Sequence, residues 1–428
     1  MNDFALSLDV QNALMTIAVA AASALPCAIL GCFLLLKRMS LLADAVGHGV
    51  LPGIAIAVML SNEITGLPVI FGATLFGLIT ALTSQWLTQR AGVSSDASLG
   101  VVFTSLFALG VLLISTYLGK VHIDLHCISF SMLELTPAFT TDWWGVPIPD
   151  ALGPLLVVCG VTVAAVVAFW KELKLATFDP GLAQTLGLPV MFLHYLLVAL
   201  TAGSTVAAFE SFGSIMVLGM FVVPPATARL LTDRLPAMLA LSVGFACSAC
   251  VLGYVIASPA LLSCSASGMI VVAAGGQFVV ALLAAPRYGV IAHAVRRMRL
   301  TARMAEEEIL AAMYRTEESP ARPAAPRDHA FSATMLTLTR WNLSRKHLVD
   351  KSALTPAGRK KAQSIVRAHR LWEAYLEHNF GLPLDHLHAS ATEIEHYLGP
   401  EVQAKLAAEL VGDHDPHGRT IPEGERSP

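Results

Sequence analysis

Charged residues are scarce in this chain. Only 14% of its 428 residues are Asp, Glu, Lys or Arg, against about 25% in an average soluble domain. Several long stretches carry no charge at all, and two of them are residues 10–36 and the 52 residues of 235–286. A membrane-spanning helix needs roughly 20 apolar residues, so the second stretch is long enough for two such helices and a turn. The composition therefore excludes a chain that is soluble along its whole length.

Three further features are missing, and each absence argues against one kind of segment, site or activity. No Lys or Arg precedes Lys37, whereas Asp3 and Asp9 do, so the first apolar stretch lacks the charge of a signal peptide and is predicted to be a retained helix. Only Cys127 and Cys264 of the seven cysteines are expected near an outer surface, so no disulfide framework is indicated. The chain has no Gly-x4-Gly-Lys-Ser/Thr phosphate loop, so ATP hydrolysis would need a separate subunit.

Apolar windows and basic connections together predict the topology. Nine spans are expected, at residues 12–36, 41–61, 66–88, 98–118, 151–170, 189–209, 212–229, 236–256 and 265–285. If they alternate from an outside N-terminus, one side receives nearly all basic residues of the short connections: Lys37, Arg38, Arg90, Lys171, Lys174, Arg229 and Arg234. Basic loops stay in the cytoplasm. We therefore predict a multi-pass protein of the cell (inner) membrane with its N-terminus outside and its tail cytoplasmic.

Two polar side chains in the second predicted span point to a metal route. Asp44 and His48 are four residues apart, so they share one face of a helix. Ionisable groups at membrane depth are costly and usually mark ion paths, and a carboxylate with an imidazole suits Mn²⁺, Fe²⁺ or Zn²⁺. The alternative is that the two groups only pair with each other between helices. Two donors do not complete a coordination shell, so further ligands or water are needed.

Other acids are weaker candidates for the same route. Glu210 lies between two apolar spans, where it either contributes an oxygen to the route or is an exposed loop carboxylate. The predicted outer loop, residues 119–150, is long enough to receive a partner. Its donors are better interpreted as a solvated loop: His122, Asp124, His126, Glu134 and Asp142.

The predicted cytoplasmic loop of residues 171–188 looks amphipathic. Asp179 followed by Pro180 is typical of a helix start, and Leu182 and Leu186 would lie on one helix face. Such a helix is suited to lie on a partner's surface as a mechanical coupler.

Five stretches carry a family resemblance: residues 38–53 with the Asp-x3-His motif, 96–110, 178–187, 209–231 and 285–289. They resemble the metal-uptake permeases of the binding-protein-dependent ABC family for manganese, zinc and iron. The resemblance implies a permease dimer, homomeric or with a paralogue, an ABC ATPase subunit docked on the 171–188 loop, and an extracytoplasmic metal-binding lipoprotein. It also implies that Asp44 and His48 line the metal route.

After Arg287 the sequence becomes polar, and nine of the fourteen histidines lie between residues 329 and 417. This tail resembles the metal-binding and dimerisation region of iron/manganese-dependent (DtxR-type) repressors. The resemblance covers residues 354–359, 368–373, 399–401 and 416–422, and it implies metal ligands at His369, Glu373, His388, Glu395 and His396. Thr392 stands where those regulators usually place Cys or Glu, a departure from the pattern of their second site.

The DNA-binding half of such a repressor is degenerate here. Residues 306–314 resemble its first helix and residues 332–341 a decayed recognition helix. The Pro-rich residues 319–328 between them cannot form the compact second helix, so DNA binding is not expected.

The sequence thus predicts an all-α protein in which a bundle of about eight or nine transmembrane helices precedes a small helical cytoplasmic domain with a degenerate winged-helix remnant. The expected domains are residues 1–295, a basic, Pro-rich linker at 296–331 and the repressor-like region at 332–428. The expected function is a non-enzymatic permease subunit that moves a divalent metal and holds no tightly bound cofactor, with a tail that senses metal or dimerises. The alternatives are a membrane-tethered metal-responsive regulator and a self-contained secondary transporter.

Overall fold

The protein was analysed as a computed structural model. The structure describes residues 2–61, 67–117, 133–143, 146–258, 262–319, 332–350, 353–383, 394, 398–410 and 412–423. The chain divides into two compact units, Met1–Ala292 and His293–Pro428. Each unit is built almost entirely from helices, which confirms the predicted all-α class.

The first unit is a bundle of long apolar helices. Its helices are α1 (Asn2–Leu36), α2 (Leu42–Gly49), α3 (Leu51–Ser61), α4 (Leu67–Ala91), α5 (Ser95–Tyr117), α6 (Leu152–Ala168), α7 (Trp170–Phe178), α8 (Pro180–Thr185), α9 (Val190–Leu231), α10 (Leu235–Ala257) and α11 (Ala266–Ala284). Between α5 and α6 lie a 3-10 turn, Leu133–Ala138, and a hairpin of β1 (Thr140–Trp143) and β2 (Val146–Pro149).

Within the described residues, eight helical segments are long and apolar enough to cross a membrane. A ninth results if α6 and α7, which meet at a 75° bend, form one broken span. This agrees with the predicted eight or nine helices. Buried side chains from most of these helices form one core, in which Phe33, Phe221 and Leu197 are almost fully enclosed.

Helix α9 contains a sharp break that separates two of these spans. Gly213 has φ 70° and ψ 171°, a conformation that glycine adopts readily because it lacks Cβ. The break divides the helix into the spans Val190–Phe209 and Gly213–Leu231. Glu210 therefore lies where one span ends and the next begins.

A polar cluster joins the end of α9 to the turn after α11. The carboxylate of Asp233 accepts hydrogen bonds from the Tyr288 hydroxyl at 2.9 Å, from Arg229 at 3.0 Å and from Arg287 at 3.1 Å. The Tyr288 hydroxyl and the two guanidinium groups hold the pKa of Asp233 below its usual range. The carboxylate of Asp233 thus links the end of α9 to the turn that follows α11.

The second unit contains α12 (Val290–Glu318, which begins just before the unit does), α13 (Ala333–Arg345), a short hairpin of β3 (Val349–Asp350) and β4 (Ala353–Leu354), α14 (Pro356–Phe380) and α15 (Pro400–Glu409). Ile309, Leu343 and Val366 belong to one small core shared by α12, α13 and α14. The predicted linker at 296–331 begins inside α12. Its role as a boundary between domains stays a prediction.

Candidate functional site

Asp44 and His48 lie together on α2, at the start of the second candidate span. His48 Nε2 is 3.5 Å from Asp44 Oδ1, and their side chains are 38% and 30% exposed, respectively. The rest of this short helix is enclosed, with Leu42, Ala43, Ala45, Val46, Gly47 and Gly49 all buried. The acid and the imidazole therefore occupy the open face of an otherwise buried helix.

Aromatic rings flank the imidazole, and sequence reasoning did not identify them. The ring centroid of His48 is 5.9 Å from that of Phe103 and 5.7 Å from that of Phe107, both on α5. Their spacing of four residues puts both rings on one face of α5. In the sequence they are two apolar residues in an apolar span, with nothing to relate them to His48.

A proline follows the pair and removes one backbone hydrogen bond of the helix. Pro52 has no N–H, so it cannot donate the usual helical hydrogen bond to the carbonyl oxygen of His48, four residues earlier. That carbonyl oxygen is a potential metal ligand close to the imidazole. Chemically, a carboxylate, an imidazole and a carbonyl can together bind a borderline divalent ion.

Several candidate residues cannot be placed beside the pair. The backbone of Glu210 is described, at the end of the span Val190–Phe209, but its side chain is not. His122, Asp124 and His126 lie outside the described residues, as do the side chains of Glu134 and Asp142. Their roles stay predictions.

The 171–188 loop folds into two short helices, α7 and α8. Asp179 caps α8 by accepting a hydrogen bond from the Leu182 N–H at 2.9 Å, and Pro180 occupies the first helical turn, which confirms the predicted helix start. Ala183 is buried, whereas Phe178, Leu182 and Leu186 are 54%, 47% and 64% exposed. The loop thus presents an exposed apolar surface.

In the tail, α14 brings His369 and Glu373 together. His369 Nε2 lies 3.1 Å from Glu373 Oε1, and the two side chains are only 5% and 2% exposed. A buried imidazole and carboxylate fit one side of a divalent metal site. His388, Glu395 and His396 lie outside the described residues. Among the described residues no group of three or more His, Cys, Asp or Glu side chains is placed to hold a metal.

Charged contacts hold the helices around this pair in place. The buried Arg370 binds Glu318 of α12 and donates to the Thr420 carbonyl at 2.6 Å. Nearby, burial and the charge of Glu318 raise the pKa of Tyr314. The segment that carries Thr420 is therefore fastened to α14 one residue after His369.

Comparisons with known proteins match two separate parts of the chain. Residues 9–285 match the model of the ABC 3 transport family, and residues 355–423 match the iron dependent repressor, metal binding and dimerisation domain. The manganese transport system membrane protein MntD of Bacillus subtilis (strain 168) is 40% identical over 275 residues, which cover 64% of this chain and 92% of that protein.

Two further similarities fall in the same region. The zinc transport system membrane protein TroD of Treponema pallidum (strain Nichols) is 34% identical over 274 residues, or 64% of this chain and 74% of that protein. Among solved structures, PsaBC from Streptococcus pneumoniae in complex with Fab is similar with a TM-score of 0.54 at 30% identity, covering 64% of this chain and 92% of that one.

Proposed function

The chain belongs to the ABC 3 transport family, and from that membership we propose that it is the permease subunit of an ATP-driven importer for a divalent transition metal. It is a multi-pass membrane protein. The relatives described above are named for manganese and for zinc transport. Manganese is our first candidate for the substrate, with zinc and iron as the metals to be compared with it.

The observation that carries the proposal is the Asp44–His48 pair. A carboxylate and an imidazole 3.5 Å apart occupy the open face of a helix that starts a membrane span. Such groups are expensive against lipid, so their position is best explained if a passing cation uses them. Phe103 and Phe107 would then form apolar walls beside the ion.

The incomplete ligand set supports a second permease subunit. One chain offers the pair and, beside it, the His48 carbonyl, whereas a transition-metal ion needs four to six donors. A second copy or a paralogue facing the same route would double the donor set and remove the pair from lipid. We propose that the route runs between two such subunits, with Glu210 as a further oxygen donor.

We propose that an ATPase subunit contacts α7 and α8 and drives transport through this contact. The exposed Phe178, Leu182 and Leu186 form a small apolar surface suited to an ATPase subunit. The basic connections support a cytoplasmic position for this surface, because basic loops stay in the cytoplasm. The opposite side would then receive an extracytoplasmic metal-binding lipoprotein.

The tail is proposed to respond to cytoplasmic metal or to dimerise. The His369–Glu373 pair supports this, since it is a buried donor pair in a segment that matches a metal-binding and dimerisation domain. Binding would require the three predicted ligands outside the described residues, His388, Glu395 and His396.

Reconstitution tests the proposal. The chain is placed in proteoliposomes with or without an ABC ATPase subunit, and uptake of radioactive manganese is followed after adding ATP on the ATPase side. We expect uptake only when the ATPase and ATP are both present, with zinc and iron competing. Uptake that proceeds without any ATPase and follows an ion gradient would instead establish a secondary transporter.

A further inference from the structure

The first half of α12 is basic and contains no acid. Residues 290–305 include Arg296, Arg297, Arg299 and Arg303, and the first Glu of the helix is Glu306. The helix begins six residues after the last candidate span ends at Ala284. An extended chain covers at most about 3.6 Å per residue, so α12 must begin within roughly 20 Å of that membrane end.

The same half of α12 exposes apolar side chains. Val295 and Met298 are 40% and 70% exposed, and a spacing of three residues places them on one face of the helix. A helix with an apolar stripe and several arginines is typical of segments that lie in a membrane interface.

Helix α13 likewise combines exposed apolar side chains with basic residues. Leu338 and Trp341 are 66% and 63% exposed, and with Arg345 they follow the i, i+3, i+7 spacing of one face. The guanidinium of Arg345 lies over the Trp341 ring at 5.6 Å. No Asp or Glu occurs between residues 332 and 349.

A groove lies between the exposed sides of the two helices. Met298 and Leu338 line a shared groove of about 730 Å³, together with Arg297 and Arg299. Glu306, at the edge of this groove, is bound by Lys346 at 2.6 Å. We call the surface formed by Val295, Met298, Leu338, Trp341, Arg297, Arg299 and Arg345 the basic apolar face.

We propose that the basic apolar face docks on the surface of a bilayer that contains anionic phospholipids. Each Arg near such a surface is attracted by the negative headgroups, and Trp prefers the boundary between headgroups and acyl chains. DNA would attract the same arginines, but its phosphates offer no partner to the exposed Met298, Leu338 and Trp341. The short connection to the last span keeps the bilayer within reach.

Hydrogen exchange on the full-length protein tests this docking. The protein is placed in nanodiscs of phosphatidylcholine, or of phosphatidylcholine with about one third phosphatidylglycerol. We expect peptides from residues 290–303 and 333–346 to exchange at least about fivefold more slowly in the anionic nanodiscs. The difference should vanish at high salt, where the screening length falls to about 3 Å.

Variants separate charge from apolar insertion. The triple variant Arg297→Gln, Arg299→Gln, Arg345→Gln and the double variant Met298→Ser, Trp341→Ser should both lose the protection. Lys405→Gln with Arg419→Gln, which removes two exposed charges elsewhere in the tail, should keep it. Equal exchange in both lipids would overturn the proposal. Protection produced by duplex DNA in neutral nanodiscs, and not by anionic lipid, would overturn it in favour of a nucleic-acid surface.

Discussion

Gly47 and the ring of Phe209 are packed so closely that no side chain fits between them. A Cβ atom on Gly47 would lie 2.4 Å from Cζ of Phe209. Gly47 precedes His48, and Phe209 precedes Glu210. This contact between α2 and α9 therefore sets the distance between the two segments that carry the three predicted ligands of the route.

Gly47→Ala is expected to reduce metal uptake. The added methyl must displace either α2 or the Phe209 ring, and overpacking of this kind costs about 1–3 kcal/mol. Because the shift occurs beside His48, uptake should fall more than the amount of protein in the membrane. The measurement is radioactive manganese uptake, normalised to the amount of folded permease.

The control is Gly203→Ala. Gly203 lies in α9, the helix that carries Phe209, and a Cβ there meets nothing within 4 Å. It should transport at the rate of the unmodified protein. If both alanine variants transport normally, the contact between Gly47 and Phe209 does not position the route.

Removing either member of the Asp44–His48 pair should abolish transport. Asp44→Asn and His48→Gln each remove a metal ligand but keep a similar side-chain volume. Loss of even a supporting residue at a metal site costs about 10–100-fold, so we expect uptake to drop at least about tenfold. Both side chains are on an open face, and copurification with the ATPase should persist.

His194→Gln is the matched control, because His194 is a second histidine in a membrane span and bonds Gln85 at 2.7 Å. We expect it to retain most of the uptake. Normal rates in Asp44→Asn and His48→Gln would mean that the pair only joins helices.

A charge on α8, or at Leu186 directly after it, should uncouple the permease from its ATPase. Leu182→Asp and Leu186→Asp each place a carboxylate in the exposed apolar surface, which would have to be desolvated in the interface. We expect ATPase copurification and uptake to be lost together. Gln184→Asp adds the same charge to an exposed position two residues from Leu182, on the other side of the helix, and should be tolerated. Retention of the ATPase in the leucine variants would exclude this surface as the docking site.

Much of this architecture could be predicted from local sequence. Charge-free runs locate the spans because hydrocarbon excludes charge over a fixed thickness. Asp179 and Pro180 predict the start of α8 because capping depends only on neighbouring residues. The spacing of Asp44 and His48 gives a shared face for the same local reason.

The remaining features depend on residues that are far apart in the chain. Phe103 and Phe107 meet His48 only after α2 and α5 pack together, and no pattern in either segment indicates this. The extension of α12 back to Val290 was not predicted either, because an Arg- and Glu-rich segment suits a solvated linker as well as a helix. Its burial against α13 and α14 from Ala305 to Ala312 stabilises one helix over that range.

Metal should protect the tail from opening if His369 and Glu373 bind it. A ligand at one hundred times its dissociation constant stabilises the binding-competent state by about 2.7 kcal/mol, so exchange that requires opening should slow about a hundredfold. Hydrogen exchange of peptides from residues 365–376 would be followed in the full-length protein with and without Mn²⁺. Glu373→Gln should remove the effect, whereas His378→Gln, an exposed histidine on the same helix, should not. Protection should also weaken at acidic pH, because the imidazole must be deprotonated to bind. If neither Mn²⁺, Fe²⁺ nor Zn²⁺ changes the exchange, the buried pair serves only to hold α14 in the tail, and sensing is excluded.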